Sequence, residues 1–295
     1  MGSRFPLRVG VLILPELPWA QARSQWRRAE ELGFAHAWTY DHLTWRGHRD
    51  RPWFAAIPTL TAAAAITDRI RIGPMVAHAT FRHPLPLAKE AIALDDISGG
   101  RLTLGLGAGT AGWDATMLGH PAWSAAERTS RFVDFVDVLD HVLREPACSH
   151  AGRYYAVDEA RTHPGCVQRP RIPFAVAAGG PRGMALAARY GQVWVTTGDR
   201  HRTDPVPAQV GTADVAAQMA RLDRACAAAG RDPRTLDRLV VTGPRLDPGL
   251  DSTEAFADTV GRYAEIGVTD LVVHWPRPEP PYRADLTTFD AIFGG

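Results

Sequence analysis

Asp41 and His42 stand side by side just beyond the apolar run 35–39, after Tyr40. An imidazole at the end of a strand can donate to a substrate or shuttle a proton near neutral pH, and a neighbouring carboxylate can orient it or contact a cofactor. Capping the next turn is the plainer use of such an aspartate, and a lone histidine is more often structural. A second stretch, Phe174-Ala175-Val176-Ala177-Ala178, runs straight into Gly179-Gly180 and a helix opening on Pro181. Free backbone amides and the positive end of a helix dipole would there face an anion, a phosphate above all, with Arg182 able to add a charge-assisted contact. Two glycines also suit any tight strand-to-helix turn, and Arg182 can equally be solvated. His78 and His83 are weaker candidates, and the second can do no more than anchor the loop before Pro84.

A third stretch, Ser98-Gly99-Gly100-Arg101-Leu102-Thr103-Leu104-Gly105-Leu106-Gly107-Ala108-Gly109, leads a turn into a short buried strand ending in glycine, where another group can approach the main chain closely. Gly107, Gly109 and Gly112 satisfy the pattern G-x-G-x-x-G. The following Trp113-Asp114-Ala115-Thr116-Met117 opens no apolar crossover helix at once, which argues against a dinucleotide-binding fold. No His/Asp/Glu set has metal-ligand spacing, and no serine sits in a G-x-S-x-G elbow, so neither a metallo-hydrolase nor an acyl-enzyme is indicated. Cys148, Cys166 and Cys226 are widely spaced, form no C-x-x-C and read as free thiols.

The elements that must position these groups follow from alternation. Apolar runs of strand length occur at 7–14, 35–39, 70–77, 102–106, 174–178, 193–196, 239–242 and 270–274. Between them the helical period recurs at 20–32, 53–67, 85–97, 125–143, 181–190, 213–229 and 253–266. Glycine just past a helix at Gly33, Gly230 and Gly267, and first-turn prolines at Pro84 and Pro181, mark the boundaries. Strand then helix, repeated about eight times, is the count of an α/β (β/α)8 TIM barrel, with a doubly wound open sheet as the alternative. A single domain spans 1–295, with inserts near 150–173 and 197–211 that read as lids or substrate walls. In the first insert, Gly152-Arg153-Tyr154-Tyr155-Ala156-Val157 reads as part of a hairpin. Barrel chemistry sits at the C-terminal strand ends, which here carry Tyr40-Asp41-His42, the loop from His78 to Pro84, Ala108-Gly109-Thr110 and Gly179-Gly180-Pro181-Arg182-Gly183.

Composition limits the partner. The chain has 295 residues, 45% hydrophobic and 22% charged, with a net charge of +1. That gives no electrostatic case for nucleic acid or an anionic membrane, and points to a small-molecule substrate. No run of about 18 apolar residues appears, and the start lacks the charged-then-apolar order of a signal peptide, so a cytoplasmic protein is expected. Lys89 is the only lysine among 33 basic residues, a bias that suggests a GC-rich genome more than a function.

Several motifs occur in a family order: Trp38-Thr39-Tyr40-Asp41-His42, Arg71-Ile72-Gly73-Pro74-Met75-Val76, Phe81-Arg82-His83-Pro84, the glycine strand from Ser98 to Gly109, and Ala177-Ala178-Gly179-Gly180-Pro181. Together they resemble the bacterial luciferase-like flavin and deazaflavin oxidoreductases over nearly the whole chain. The resemblance implies a TIM barrel binding FMN or the deazaflavin coenzyme F420, with the ring over the third strand and the phosphate near the loop after the fifth. It also implies a non-proline cis peptide between Met75 and Val76, backing the ring. Asp41, His78, Ala108, Gly109, Gly179, Gly180, Arg182 and Gly183 match positions that contact the deazaflavin in the sugar-phosphate dehydrogenase branch, and His42 matches its active-site histidine.

One position departs from that branch. Thr110 stands where those dehydrogenases have a glutamate, so a general acid is missing and a substrate other than glucose 6-phosphate is implied. Thr110 and Trp113 suggest a more apolar pocket, with Tyr40, Trp45, Trp53, Trp194 and Trp275 as candidate walls or, equally, core packing. The leading expectation is an F420-dependent reductase or dehydrogenase, hydride passing between deazaflavin C5 and a C=C, C=N or C=O group while His42 moves the accompanying proton. An FMN-dependent monooxygenase and a non-catalytic flavin-binding barrel are the alternatives. A homodimer is implied by the resemblance, with a cofactor-reducing enzyme as an indirect partner. The helix at 125–143 has apolar surface for a dimer contact, although core burial explains the same pattern.

Overall fold

The computed structural model describes residues 4–45 and 48–294. Within them lie β1 (Arg8–Leu12), α1 (Trp19–Glu31), β2 (His36–Thr39), α2 (Ala56–Ala64), β3 (Arg71–Pro74), β4 (Ala77–His78), α3 (Pro84–Ile97) and β5 (Leu104–Gly107). There follow α4 (Trp113–Thr116), α5 (Ala125–Arg144), β6 (Ala147–Ala151), β7 (Ala156–Arg161), β8 (Phe174–Ala177), α6 (Pro181–Tyr190) and β9 (Val193–Thr196). The chain ends through α7 (Ala208–Ala228), β10 (Asp237–Val241), α8 (Thr253–Glu265), β11 (Asp270–His274) and α9 (Leu286–Phe293).

Every predicted strand is present, and all pair in parallel in one nine-stranded sheet of order β3-β2-β1-β11-β10-β9-β8-β5-β4. The two ends of that order, β3 and β4, are consecutive in the chain and separated only by Met75 and Val76. They are two halves of one stave. Ile72 also bridges Leu102 in parallel, its N–H donating to Arg101 O at 3.0 Å, so the sheet closes on itself as an eight-staved barrel.

Strand alternation sorts the apolar residues into two cores. Leu12, Trp38, Met75, Ala175, Val195, Leu239 and Val272 fill the barrel interior. Their neighbours, among them Val11, Ala37, Ile72, Leu104, Phe174, Trp194 and Val273, point outward against the helices. The amino-terminal floor is polar: Arg8 Nε donates to Asp270 Oδ1 at 2.7 Å, His36 Nε2 lies 3.1 Å from the same oxygen, and Trp38 Nε1 donates to His36 Nδ1 at 2.6 Å. Gly10 makes room for this plug, since a Cβ there would lie 1.9 Å from His36 Nδ1.

Helix ends follow local rules. Pro84 and Pro181 occupy first-turn positions of α3 and α6, where a missing N–H costs no hydrogen bond. Three expectations need adjustment. The helix expected at 213–229 already starts at Ala208, so the insert near 197–211 ends inside it. The helix expected at 53–67 is shorter, Ala56–Ala64, because 53–55 runs extended into it. Helix α9 was not foreseen; only eight residues long, it follows a proline-rich stretch that hides its period, yet it buries Phe289, Ile292 and Phe293. The first insert forms the antiparallel hairpin β6–β7. Helix α5 buries Phe132, Phe135, Val136, Leu139 and Val142 within this chain, so core packing accounts for its apolar pattern.

Candidate active site at the carboxyl end of the barrel

His42 leaves the end of β2 and meets a residue from beyond β5. Its Nδ1 lies 2.6 Å from Asp114 Oδ2, and the amide of Leu43 donates to Asp114 Oδ1 at 2.7 Å. Burial alone would raise the Asp114 pKa, but the hydrogen bond and charge of His42, with help from the Leu43 amide, hold it below the usual carboxylate range. An ionised Asp114 accepts the proton on Nδ1, which leaves Nε2 as the ring atom for chemistry. Thr110 therefore does not leave the site without a carboxylate. The short helix α4, begun by Trp113, carries Asp114 back over β2, a juxtaposition no local spacing announces.

His78, at the end of β4, is 1% exposed, and neither of its ring nitrogens has a hydrogen-bond partner within the described residues. Its Nε2 lies 3.6 Å from Asp114 Oδ2. Burial first, then the neighbouring His42, pushes its pKa down to about 4, so it stands neutral at physiological pH. The absence of metal-ligand spacing along the chain does not extend to space: ligand atoms of His42, His78 and Asp114 all lie within 4.8 Å of one another. The 2.6 Å contact between His42 and Asp114 is hydrogen-bond distance, so this pair is committed to each other.

Asp41 is turned the other way. Its carboxylate, 2% exposed, is gripped by both Arg82 Nε at 2.5 Å and Arg82 Nη2 at 2.8 Å. Arg82 in turn reaches Glu90 at 3.0 Å, tying the loop after β4 to α3. His83 Nδ1 accepts from the Leu85 amide at 3.2 Å and so caps α3.

Between β3 and β4 the Met75–Val76 peptide is cis. Met75, Val76, His78, Ala108, Gly109, Gly179, Gly180 and His42 all line one cleft of about 410 Å³. Of the residues expected at a cofactor, Asp41, Arg182 and Gly183 are not among those lining it. Arg182 extends outside the barrel to Ser130 Oγ at 3.2 Å, while Gly183 packs on Ala178.

The glycines around the cleft do two different jobs. A Cβ on Gly105 would lie 2.0 Å from Pro74 O, and one on Gly107 would lie 2.5 Å from Val76 Cγ2. Those glycines let β5 press against the interrupted stave. Gly109 (φ +68°) faces Thr80 Oγ1 and His78 Nδ1. Gly179 and Gly180, by contrast, have nothing within 4 Å of where a Cβ would sit, and α6 begins beside them with no side-chain cap. The amides at this helix start are thus left for an outside acceptor.

Beside the first cleft, and sharing Tyr40, His42, Thr110 and Thr197 with it, is a compartment of about 360 Å³ reaching Trp45, Trp113, Asp114 and Arg245. Tyr40 OH bonds to His274 Nε2 at 2.8 Å, and Trp45 stacks on Trp53 and on Tyr282. Tyr40 and Trp45 line this compartment, the first of the two alternatives the sequence left open for them; Trp53 stacks on Trp45, its Nε1 donating to His42 O at 2.9 Å. Trp194 and Trp275 are not walls. Trp194 points outward from β9, because Val195 next to it takes the inward position, and Trp275 packs on Phe289. Asp114, Tyr282 and Arg245 were not singled out as site residues from the sequence. Their positions depend on contacts between distant strand ends.

Residues 1–244 match the family described as luciferase-like monooxygenase. The F420-dependent glucose-6-phosphate dehydrogenase of Beutenbergia cavernae is 34% identical over 181 residues, 59% of this chain and 51% of that protein. The matched segment thus spans about half of that relative's length. The 4-hydroxyprotoasukamycin monooxygenase of Streptomyces nodosus subsp. asukaensis is 29% identical over 276 residues, 90% of this chain and 67% of that one. Among solved structures, the coenzyme F420 dependent tetrahydromethanopterin reductase from Methanopyrus kandleri superposes with a TM-score of 0.73 at 19% identity, covering 92% of this chain and 93% of that one. At that identity the likeness establishes the barrel fold.

Proposed function

Since the chain belongs to the luciferase-like monooxygenase family, we propose that it is an F420-dependent oxidoreductase transferring a hydride between the deazaflavin C5 and a small organic substrate. The observation that carries this reading is the cleft itself. Met75 and Val76, the open glycines before an uncapped helix start, and His42, which is paired with Asp114, all line it. The residues fit a planar ring with a phosphate: Gly179 and Gly180 leave space that any side chain would fill, and the buried His78 nitrogens and Thr80 Oγ1 lack partners.

When bound, the deazaflavin accepts or donates the hydride at C5. Gly179, Gly180 and the amides opening α6 would hold the phosphate, and Met75 and Val76 would back the ring. His42 moves the accompanying proton at Nε2, and Asp114 fixes its tautomer and steadies the cationic ring that results from taking up a proton. Tyr40 and Trp45 wall the substrate compartment, limiting where the reacting carbon can sit. His78, neutral and buried, shapes the cleft without adding charge.

An FMN-dependent monooxygenase is the second reading, favoured by the 90% coverage of this chain in the Streptomyces monooxygenase match. Titration of purified protein with F420 and with FMN, followed by quenching of cofactor fluorescence, separates the two. Micromolar or tighter F420 binding with weak FMN binding is expected. The reverse preference overturns the proposal and makes oxygen-dependent turnover with reduced FMN the next assay.

A further inference from the structure

Arg245, four residues beyond β10, has no carboxylate paired with it among the described residues. Its Nη1 donates to Thr197 Oγ1 at 2.8 Å, but its Nε is buried without a hydrogen-bond partner among the described residues. Three other arginines near the barrel are answered by carboxylates: Arg82 by Asp41, Arg277 by Glu16 at 2.6 Å and Arg171 by Asp140 at 2.6 Å. Asp199 is influenced by Arg245 only through space, since its Oδ1 is turned to the His201 amide at 3.0 Å. A buried guanidinium N–H left unmade is costly, and a guanidinium fork is shaped for a carboxylate.

The compartment that Arg245 enters is the one shared by Tyr40, Trp45, Trp113, His42 and Asp114. Flat aromatic faces line its sides, the proton-transfer pair is part of its wall, and among the described residues Arg245 is the arginine that lines it, Arg49 stacking on Trp113 at 3.9 Å. Its roughly 360 Å³ lies at the small end of ligand sites, room for one ring and a short arm. We infer that the substrate is a planar unsaturated carboxylate, its acid group held by Arg245 and its reducible bond presented beside His42. The inference rests on the proposed function for the hydride step, but the anion site stands on geometry alone.

The probe pair is trans-cinnamate and trans-cinnamamide, alike in shape and differing in charge. Isothermal titration calorimetry on the whole chain, with and without saturating F420, should show cinnamate binding at least tenfold more tightly than the amide. Arg245→Met should abolish that preference and leave F420 affinity within twofold, while Arg245→Lys, which keeps the charge without the fork, should retain part of it. Equal binding of acid and amide, binding of neither, or an unchanged preference in Arg245→Met overturns the inference. A loss of F420 affinity in Arg245→Met with no effect on cinnamate assigns Arg245 to the coenzyme instead. Cinnamate binding that depends on Arg245 in a protein that fails to bind F420 removes the cofactor reading and leaves the carboxylate site standing. Thermal melts of both variants check that the fold is intact.

Discussion

His42 Nδ1 and Asp114 Oδ2 lie 2.6 Å apart although the residues are 72 positions apart in the chain. The carboxylate selects one tautomer of the imidazole, and under the proposed function the pair would act as a unit in proton transfer. His42→Asn should lower kcat by about 10²-fold or more, the range of general acid–base catalysis. Asp114→Asn, which offers the ring a donor and an acceptor without fixing the tautomer, should lower kcat by roughly tenfold or more. F420 affinity should stay within twofold in both. Unchanged turnover in His42→Asn removes His42 from the mechanism.

His78 should make the protein acid-sensitive. Its folded pKa of about 4 lies below the ordinary value of 6.5, so between these values the unfolded chain binds more protons than the folded one. Stability is therefore full above pH 6.5 and falls as pH drops toward 4. The loss between pH 7 and pH 5 is about 2 kcal/mol by linkage. Urea unfolding of the cofactor-free protein at the two pH values, compared with His78→Gln, measures it. A pH dependence equally steep in the variant would show that another group is responsible.

Gly179→Val separates a binding role from a folding one. Nothing lies within 4 Å of the added Cβ, so the melting temperature should be nearly unchanged. The same bulk would fill the space above the start of α6, and F420 affinity should fall tenfold or more. A variant that binds F420 normally would place the phosphate elsewhere.

Arg82 and Asp41 form a buried pair whose two halves cannot be removed separately without cost. Arg82→Met leaves the 2%-exposed Asp41 carboxylate uncompensated and should destabilise by about 3–5 kcal/mol. The double variant Asp41→Asn/Arg82→Met should recover a large part of that loss in denaturant unfolding. Additive losses would mean that the two groups are not energetically coupled.

The eight staves were legible because each buried strand is a short apolar run closed by glycine, proline or a polar cap, and those signals are local. The open turn at Gly179-Gly180 was legible for the same reason, since a strand, two glycines and a first-turn proline specify it within ten residues. The glycines of β5 read locally as an opening for a ligand. In the fold, Gly107, Ala108 and Gly109 do line the cleft, while Gly105 and Gly107 also let β5 pack against Pro74 and Val76, because the space beside a strand is shared with its neighbour in the sheet. Trp194 and Trp275 show the same limit: a strand has two faces, and only barrel closure decides which one is inside.

Residue types and their order determined the barrel and the set of strand ends that face one another, His42 and His78 among the groups they carry. Tertiary structure decided the partnerships. It gave His42 the carboxylate of Asp114, took Asp41 for Arg82, buried His78 without a partner, sent Arg182 outside and brought Arg245 in. Periodicity and capping act over a few residues and are written into the chain directly. Which side chains meet across the mouth of a closed barrel depends on the register of all eight staves and on the paths of the loops between them, and that is settled only when the whole sheet has closed.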